Sequence, residues 1–233
     1  FKWMTDKQLQ NWQSMPCMIE VDLEYPKGLH DLHNDYPFCP ERKTINKVQK
    51  LVPTLENKER YVVHYSLLQA LEHGLVLKKV HKGITFRESD ALAKYIDKNT
   101  KLRAAAKNNF EIAFFKLMNN VIFGKTMENI RNRSNIKLVS TEDKARELIA
   151  QPNYETRTIF NEHLTAVHMR TTNLYFDKPV YLGAAILDIS KTVMYDFHYN
   201  YIKPKYGNRA QLLFTDTDSL MYHIHTKDFY EDI

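Results

Sequence analysis

Two carboxylates set into an apolar run constrain this chain more than any other feature. From Leu212 to Tyr222 the sequence reads Leu-Leu-Phe-Thr-Asp-Thr-Asp-Ser-Leu-Met-Tyr. The flanks read as strands, so Asp216-Thr217-Asp218 has to occupy the tip of a β-hairpin. Residues i and i+2 of a strand share a face, and across a tight turn they converge from either side. Burying two acids beside so much apolar surface is costly unless a cation offsets their repulsion. Hard oxygen ligands favour Mg²⁺ or Mn²⁺, and phosphate chemistry is where such ions usually work. The alternative is an Asx-rich surface turn, against which the apolar flanks argue.

Charge is unevenly spread. The chain carries a net +5. From Lys101 to Lys137 eight bases face two acids, Glu111 and Glu128, more than the whole chain's excess. From Asp216 onward the sign reverses, with Asp216, Asp218, Asp228, Glu231 and Asp232 against Lys227 alone. Such a division suggests phosphate binding in one place and metal binding in another, although charge runs are often solvated faces.

The basic stretch contains a second pattern, Lys116-Leu117-Met118-Asn119-Asn120-Val121-Ile122-Phe123-Gly124. At about 100° per residue, Asn120 lies about 40° from Lys116 and Phe123 about 20° to the other side. One helix face therefore presents an ammonium, an amide and an aromatic ring. Gly124 leaves room for something flat to approach. An ammonium suits a triphosphate as a point charge, and a ring with an amide suits a base and sugar. The competing reading is a core-facing ring beside a snorkelling lysine.

Around these patterns the chain mixes helices and strands, so the class is α+β. Strands are expected at Met18–Val21, Tyr61–Tyr65 and Leu75–Thr85, around an irregular 29–41. A helix over Ser66–His73 should stop at Gly74, and another should span Asp90–Asn99. Lys101–Arg133 reads as one helix, or two joined near Asn108-Asn109. A further helix should run from Ser140-Thr141-Glu142-Asp143 to Ala150. Thr158–Val167 and Thr171–Phe176 read as weaker strands. A long helix over Leu182–Tyr201 should end before Pro204, followed by the hairpin. No apolar run approaches the ~20 residues of a membrane span, so no membrane partner is expected. Cys17 and Cys39 do not make a disulfide framework, which fits a reducing, intracellular compartment.

Together the two patterns resemble motifs B and C of family B DNA polymerases, Lys-x3-Asn-x2-(Tyr/Phe)-Gly and aromatic-x-Asp-Thr-Asp-Ser. The flavour is that of the protein-primed organellar and viral branch, found in viruses, linear plasmids and self-synthesising transposons. The stretches 61–132 and 178–233 are similar to that branch almost throughout. The resemblance implies fingers helices, part of a palm and an inserted α+β region. Its divisions are 1–90 as the insertion following motif A, 91–135 as fingers, 136–177 as a connecting insertion and 178–233 as palm. Asp218 is implied as the principal metal-binding carboxylate and Asp216 as a weaker one, with Mg²⁺ or Mn²⁺ as cofactor. Lys116 is implied to contact the triphosphate of a dNTP. Phe123, where the family usually has Tyr, packs on the nascent base pair, with Asn120 and Gly124 shaping that pocket. Arg103 and Lys107 stand as further phosphate contacts, and Lys125 and Lys191 as contacts to the primer-template DNA. A terminal priming protein is a further implied partner.

Motif A, Asp-x-x-Ser-Leu-Tyr-Pro, has no match. Asp22-Leu23-Glu24-Tyr25-Pro26 has the wrong Asp-to-Tyr spacing. With Phe1 at its start, the chain reads as a slice running from after motif A through motif C, inactive by itself because a single carboxylate pair cannot hold two metals. Other readings are a catalytically dead, DNA-binding remnant and an Asp-x-Asp glycosyltransferase. The latter leaves Lys116 unexplained and lacks a Rossmann-like start. Cys17, His30, His33 and Cys39 could be written as a zinc site but lack a paired Cys-x2-Cys spacing. His223 and His225 read as surface histidines.

Overall fold

The chain opens with β1 (Lys2–Trp3) and α1 (Asp6–Gln10), then enters the alternating segment β2 (Cys17–Glu24). This computed structural model describes residues 1–232; residue 233, the last of the expected palm segment, lies outside the described residues. In β2 the odd positions Ile19, Val21 and Leu23 are buried, and the intervening Glu20, Asp22 and Glu24 form an acidic stripe on the other face. After the short helix α2 (His30–His33), β3 (Glu41–Ile45) and β4 (Val48–Val52) form a hairpin that the sequence reading did not anticipate. Asn46 and Lys47 at its turn have φ of 51° and 65°, the two positive values that a tight hairpin needs. Next come β5 (Lys58–Val63), α3 (Ser66–Glu72) and β6 (Val76–Thr85).

The sheet runs β1-β6-β2-β5, antiparallel throughout. Irregular pairing brings bases to the acidic stripe. Val21 pairs with Val80 and Leu23 with Leu77, so β6 carries extra residues at His81 and Lys78. Lys78 pairs with Glu24 at 2.9 Å, and His81 Nε2 lies 2.7 Å from Asp22. Arg60, at φ 51° in β5, pairs with Glu20 at 2.7 Å. Gly74 ends α3 at φ 97°. Its N–H donates to Leu71, and that of Leu75 donates to Ala70, the paired bonds of a glycine-terminated helix.

The chain then passes through α4 (Ala93–Ala104) and α5 (Asn109–Thr126). The first starts later than expected and runs on past Asn99. The break falls where the sequence placed it, because the Asn108 side chain caps α5 by accepting the Glu111 N–H at 2.9 Å. β7 (Asn135–Val139), α6 (Glu142–Ile149), β8 (Tyr154–Asn161) and β9 (Leu164–Met169) follow. The expected strand 158–167 is thus a hairpin, folded where the Asn161 side chain accepts the His163 N–H at 2.8 Å. Sheet order is β7-β9-β8, so β9 has both edges occupied. The expected strand 171–176 has no regular structure.

The long helix α7 (Val180–Asp196) does not stop before Pro204. It widens into a π-helical stretch, Phe197–Ile202, and resumes as α8 (Lys203–Tyr206). The Lys203 N–H reaches back to the His198 carbonyl. That wider turn relieves the clash that a proline ring makes in a regular helix. β10 (Ala210–Asp216) and β11 (Ser219–Ile224) form a separate hairpin. The class is α+β.

Two compact units result, Phe1–Lys98 with Ala184–Ile233, and Asn99–Gly183. The core of the first joins β2 to α7 and its π-helical continuation. Phe38, 1% exposed, stacks on Tyr195 and Tyr199 with centroids 4.5 and 4.8 Å away. Burying such a ring is worth roughly 1.5–3 kcal/mol. The hydroxyls of Tyr195 and Tyr199 donate to the carbonyls of Pro37 and Tyr36. The irregular chain before β3 is thereby tied down. Lys58, fully buried, is offset by Glu41 at 2.8 Å and by Thr54. In the second unit Val139, Val167 and Met169 pack against Leu148 and Ile149 of α6.

Candidate functional site

In the first unit the carboxylate pair sits at the end of β10–β11. Asp216 is the last residue of β10, opposite Ser219, with Thr217 and Asp218 forming the turn. The Ser219 hydroxyl donates to the Asp216 carbonyl at 3.1 Å, and that of Thr217 to the Asp216 carboxylate at 3.1 Å. Thr217 has φ 49°, a rare and strained value for a β-branched residue.

Both aspartates are exposed, which corrects the expectation that the apolar flanks bury them. Every residue from 213 to 219 is exposed, so the tip stands clear of the core, and a bulge sets the face on which Asp216 lies. Leu212 pairs with Tyr222 but Phe214 pairs with Met221, leaving Leu213 as an extra residue. Without it, Asp216 would share the face of Leu212. With it, the strand switches phase. Ala210, Tyr222 and Ile224 pack inward on Ile202 and Tyr206, while Leu213, Phe214, Asp216 and Met221 face solvent.

Among the described residues no group of three or more His, Cys, Asp or Glu could hold a metal ion. Two carboxylates nevertheless fit Mg²⁺, which is usually held by one or two carboxylates plus substrate phosphates. The zinc reading finds no support among the described residues. The Cys17 thiol donates to the Trp12 carbonyl, and His33 bonds the Tyr25 hydroxyl at 2.8 Å. Asp22 is also engaged. It accepts the Arg60 N–H at 2.9 Å and lies against His81, two contacts that hold its carboxyl below the usual range. Lys191 is half-buried on α7, one turn on from Asp188. That aspartate, unremarked in the sequence, accepts the N–H and hydroxyl of Ser66 at 3.0 and 2.6 Å and so caps α3.

In the second unit Lys116 and Asn120 are exposed on α5 and Phe123 is half-buried, all on one face by helical spacing. A side chain at Gly124 would meet nothing within 4 Å, so that position is open. Asn119 links the two helices by donating to the Thr100 hydroxyl at 3.2 Å. Arg103, at the end of α4, and Lys107, before α5, are exposed. With Lys116 they form no ion pair among the described residues. Lys125 differs, lying 3.7 Å from Glu128. Glu128 also takes Arg133 at 2.7 Å and Lys178 at 3.2 Å. Hydrogen bonds from Arg133 and then Lys178 bring its carboxyl down to about 2. The basic stretch is therefore part scaffold and part unpaired surface. No helix among the described residues is long and apolar enough to cross a membrane.

A family model described as DNA polymerase type B, organellar and viral, matches residues 2–204. The match takes in α4 and α5 and ends before β10. No curated protein matches. A solved structure of phi29 DNA polymerase in an orthorhombic crystal form is similar over 97% of this chain and 34% of its own, at 16% identity and a TM-score of 0.47. Phi29 DNA polymerase complexed with primer-template DNA is similar over 97% of this chain and 33% of its own, at 14% identity and a TM-score of 0.43. The chain thus spans about a third of the length of either structure.

Proposed function

The chain belongs to the organellar and viral type B DNA polymerases, and from that membership we propose that it forms the fingers and the motif C portion of the palm of a DNA-directed DNA polymerase. Residues 91–135 are assigned to the fingers, 178–233 to the palm, and 1–90 and 136–177 to the regions inserted around them. The observation that carries this reading is the single face of α5 bearing Lys116, Asn120 and Phe123, inside the family-matched stretch.

On this reading Lys116 holds the triphosphate of a dNTP, with Arg103 and Lys107 adding positive charge along its path. Phe123 packs on the nascent base pair, and open space at Gly124 lets that pair approach. Asn120, a neighbour on the same face, orients the sugar or base through its amide. Asp218 and Asp216 hold a divalent cation, Mg²⁺ or Mn²⁺, on the exposed hairpin. When bound, the cation supplies charge stabilisation to a transferring phosphoryl group. Lys125 and Lys191 face the primer-template. Attack on the α-phosphate comes from a primer 3′-OH, or from the hydroxyl of a terminal priming protein at initiation; the new P–O bond replaces the α–β phosphoanhydride bond, the hydroxyl loses its proton and pyrophosphate leaves. The reaction is intracellular. With one carboxylate pair, this chain alone does not extend primers.

Primer extension by a polymerase carrying this chain tests the assignment. Asp218→Ala should lower the rate at least a hundredfold and Asp216→Ala somewhat less, both with folding intact. Extension by Asp218→Ala at near wild-type rate would overturn it.

A further inference from the structure

Among the described residues the hairpin β10–β11 pairs only with itself, and an isolated two-stranded hairpin is marginally stable in water. Its inner face rests on Ile202 and Tyr206 through Ala210, Tyr222 and Ile224. Apolar contact of that kind is non-directional and does not by itself fix an angle. One directional contact accompanies it. The Tyr222 hydroxyl and His198 Nδ1 are hydrogen-bonded at 2.8 Å, with the rings stacked at 12° and centroids 5.8 Å apart.

His198 is 1% exposed and lies in the π-helical stretch. The rings of Tyr36 and Tyr199 meet its imidazole edge-on at 5.5 and 4.6 Å. Its Nε2 has no partner among the described residues. Among the described residues the tie to Tyr222 is therefore the one hydrogen bond that its ring makes.

Tyr222 stands beside the bulge, opposite Leu212, and four residues after Asp218 at the tip. Four residues of strand span about 13 Å, so a tilt of about 5° at Tyr222 moves the tip by about 1 Å. A misplacement of about 1 Å at a reacting centre can cost about a hundredfold in rate. Small errors at the base of this hairpin thus become large ones at Asp216 and Asp218.

We propose that His198 and Tyr222 are a positioning pair that sets the angle at which the hairpin presents Asp216 and Asp218 to a divalent cation. This rests on the reading of those carboxylates as the metal ligands. Neither His198 nor Tyr222 touches the cation; both act through the hairpin.

The test uses this chain, Mn²⁺ alone as probe, and two readouts. Tyr222→Phe removes only the hydroxyl. It should speed amide hydrogen exchange across 210–224 at least tenfold while β2, β5 and β6 exchange as before. It should also weaken Mn²⁺ binding, followed by electron paramagnetic resonance, about three- to tenfold. His198→Asn, whose amide can occupy the place of Nδ1, should restore much of what His198→Leu loses. Asp218→Asn should abolish Mn²⁺ binding, leaving the free-ion signal undiminished, without changing exchange. If Tyr222→Phe leaves both exchange and Mn²⁺ affinity at wild-type values, the positioning inference falls. If Asp218→Asn still binds Mn²⁺, the metal reading falls instead, and the exchange data still decide whether His198 anchors the hairpin.

Discussion

The Asp218 N–H donates to the Asp216 carbonyl oxygen at 2.6 Å, closing a three-residue turn over Thr217. A turn of this kind with a positive central φ is rare and strained. It places the two candidate metal ligands on either side of the strained residue.

Thr217→Gly should therefore stabilise the protein. Left-handed backbone costs a side-chain-bearing residue about 1–2 kcal/mol, while glycine's extra unfolded entropy returns about 0.5–1 kcal/mol. A net gain of about 0.5–1 kcal/mol is expected in urea unfolding. A loss of stability would mean that the threonine is held without strain.

Lys116→Ala should leave stability within about 0.5 kcal/mol, as for other exposed side chains, while raising the apparent KM for dNTP and lowering kcat in a polymerase carrying the chain. Lys116→Arg should rescue only partly, since a guanidinium fork is not a compact point charge. A lower melting temperature with unchanged nucleotide dependence would make Lys116 a packing residue.

Single-stranded DNA should bind this chain with steep salt dependence. Arg103, Lys107 and Lys116 are exposed and form no ion pair among the described residues. Neutralising all three should reduce the slope of log K against log salt by about 2, at ~0.7 per phosphate contact. Fluorescence anisotropy across a salt series measures it. An unchanged slope would move the footprint elsewhere.

Acid should weaken the first unit well before its carboxylates protonate. Burial brings His33 and His198 down to about 4 from 6.5. Between those values the unfolded chain binds protons that the folded chain does not, so stability falls as pH falls from about 6.5 to about 4. Urea unfolding at a series of pH values should show that decline, and His198→Asn should make it shallower. Stability that is flat over this window would mean that both rings are already charged when folded.

Much of the fold is local and so legible in the sequence. The strand read at Met18–Val21 lies within β2, Gly74 ends α3, Asn108 divides α4 from α5, and the aspartates fall at a hairpin tip. What escapes depends on partners remote in sequence. Asp188 caps a helix 122 residues away. Glu128 gathers Arg133 and Lys178, which charge counting along the chain cannot distinguish from unpaired bases. The face on which Asp216 lies follows from how β10 registers on β11, and an apolar run reads the same with or without a bulge. The β3–β4 hairpin escaped because its strands are rich in charge and its turn uses Asn-Lys where Asn-Gly is the usual signal.

The extra residue at Leu213 also makes β10 sensitive to length in a way that it is not sensitive to composition. Exchanging Leu213 for another apolar residue keeps the count and hence the phase of everything after it. Losing one codon there would restore regular alternation and carry Asp216 to the face that Leu212 shares with Tyr222, the opposite of the one it now occupies. Compensation would have to come from a second indel between the bulge and the tip. Descendants of this chain should therefore vary freely in the letters of this strand and hardly at all in their number.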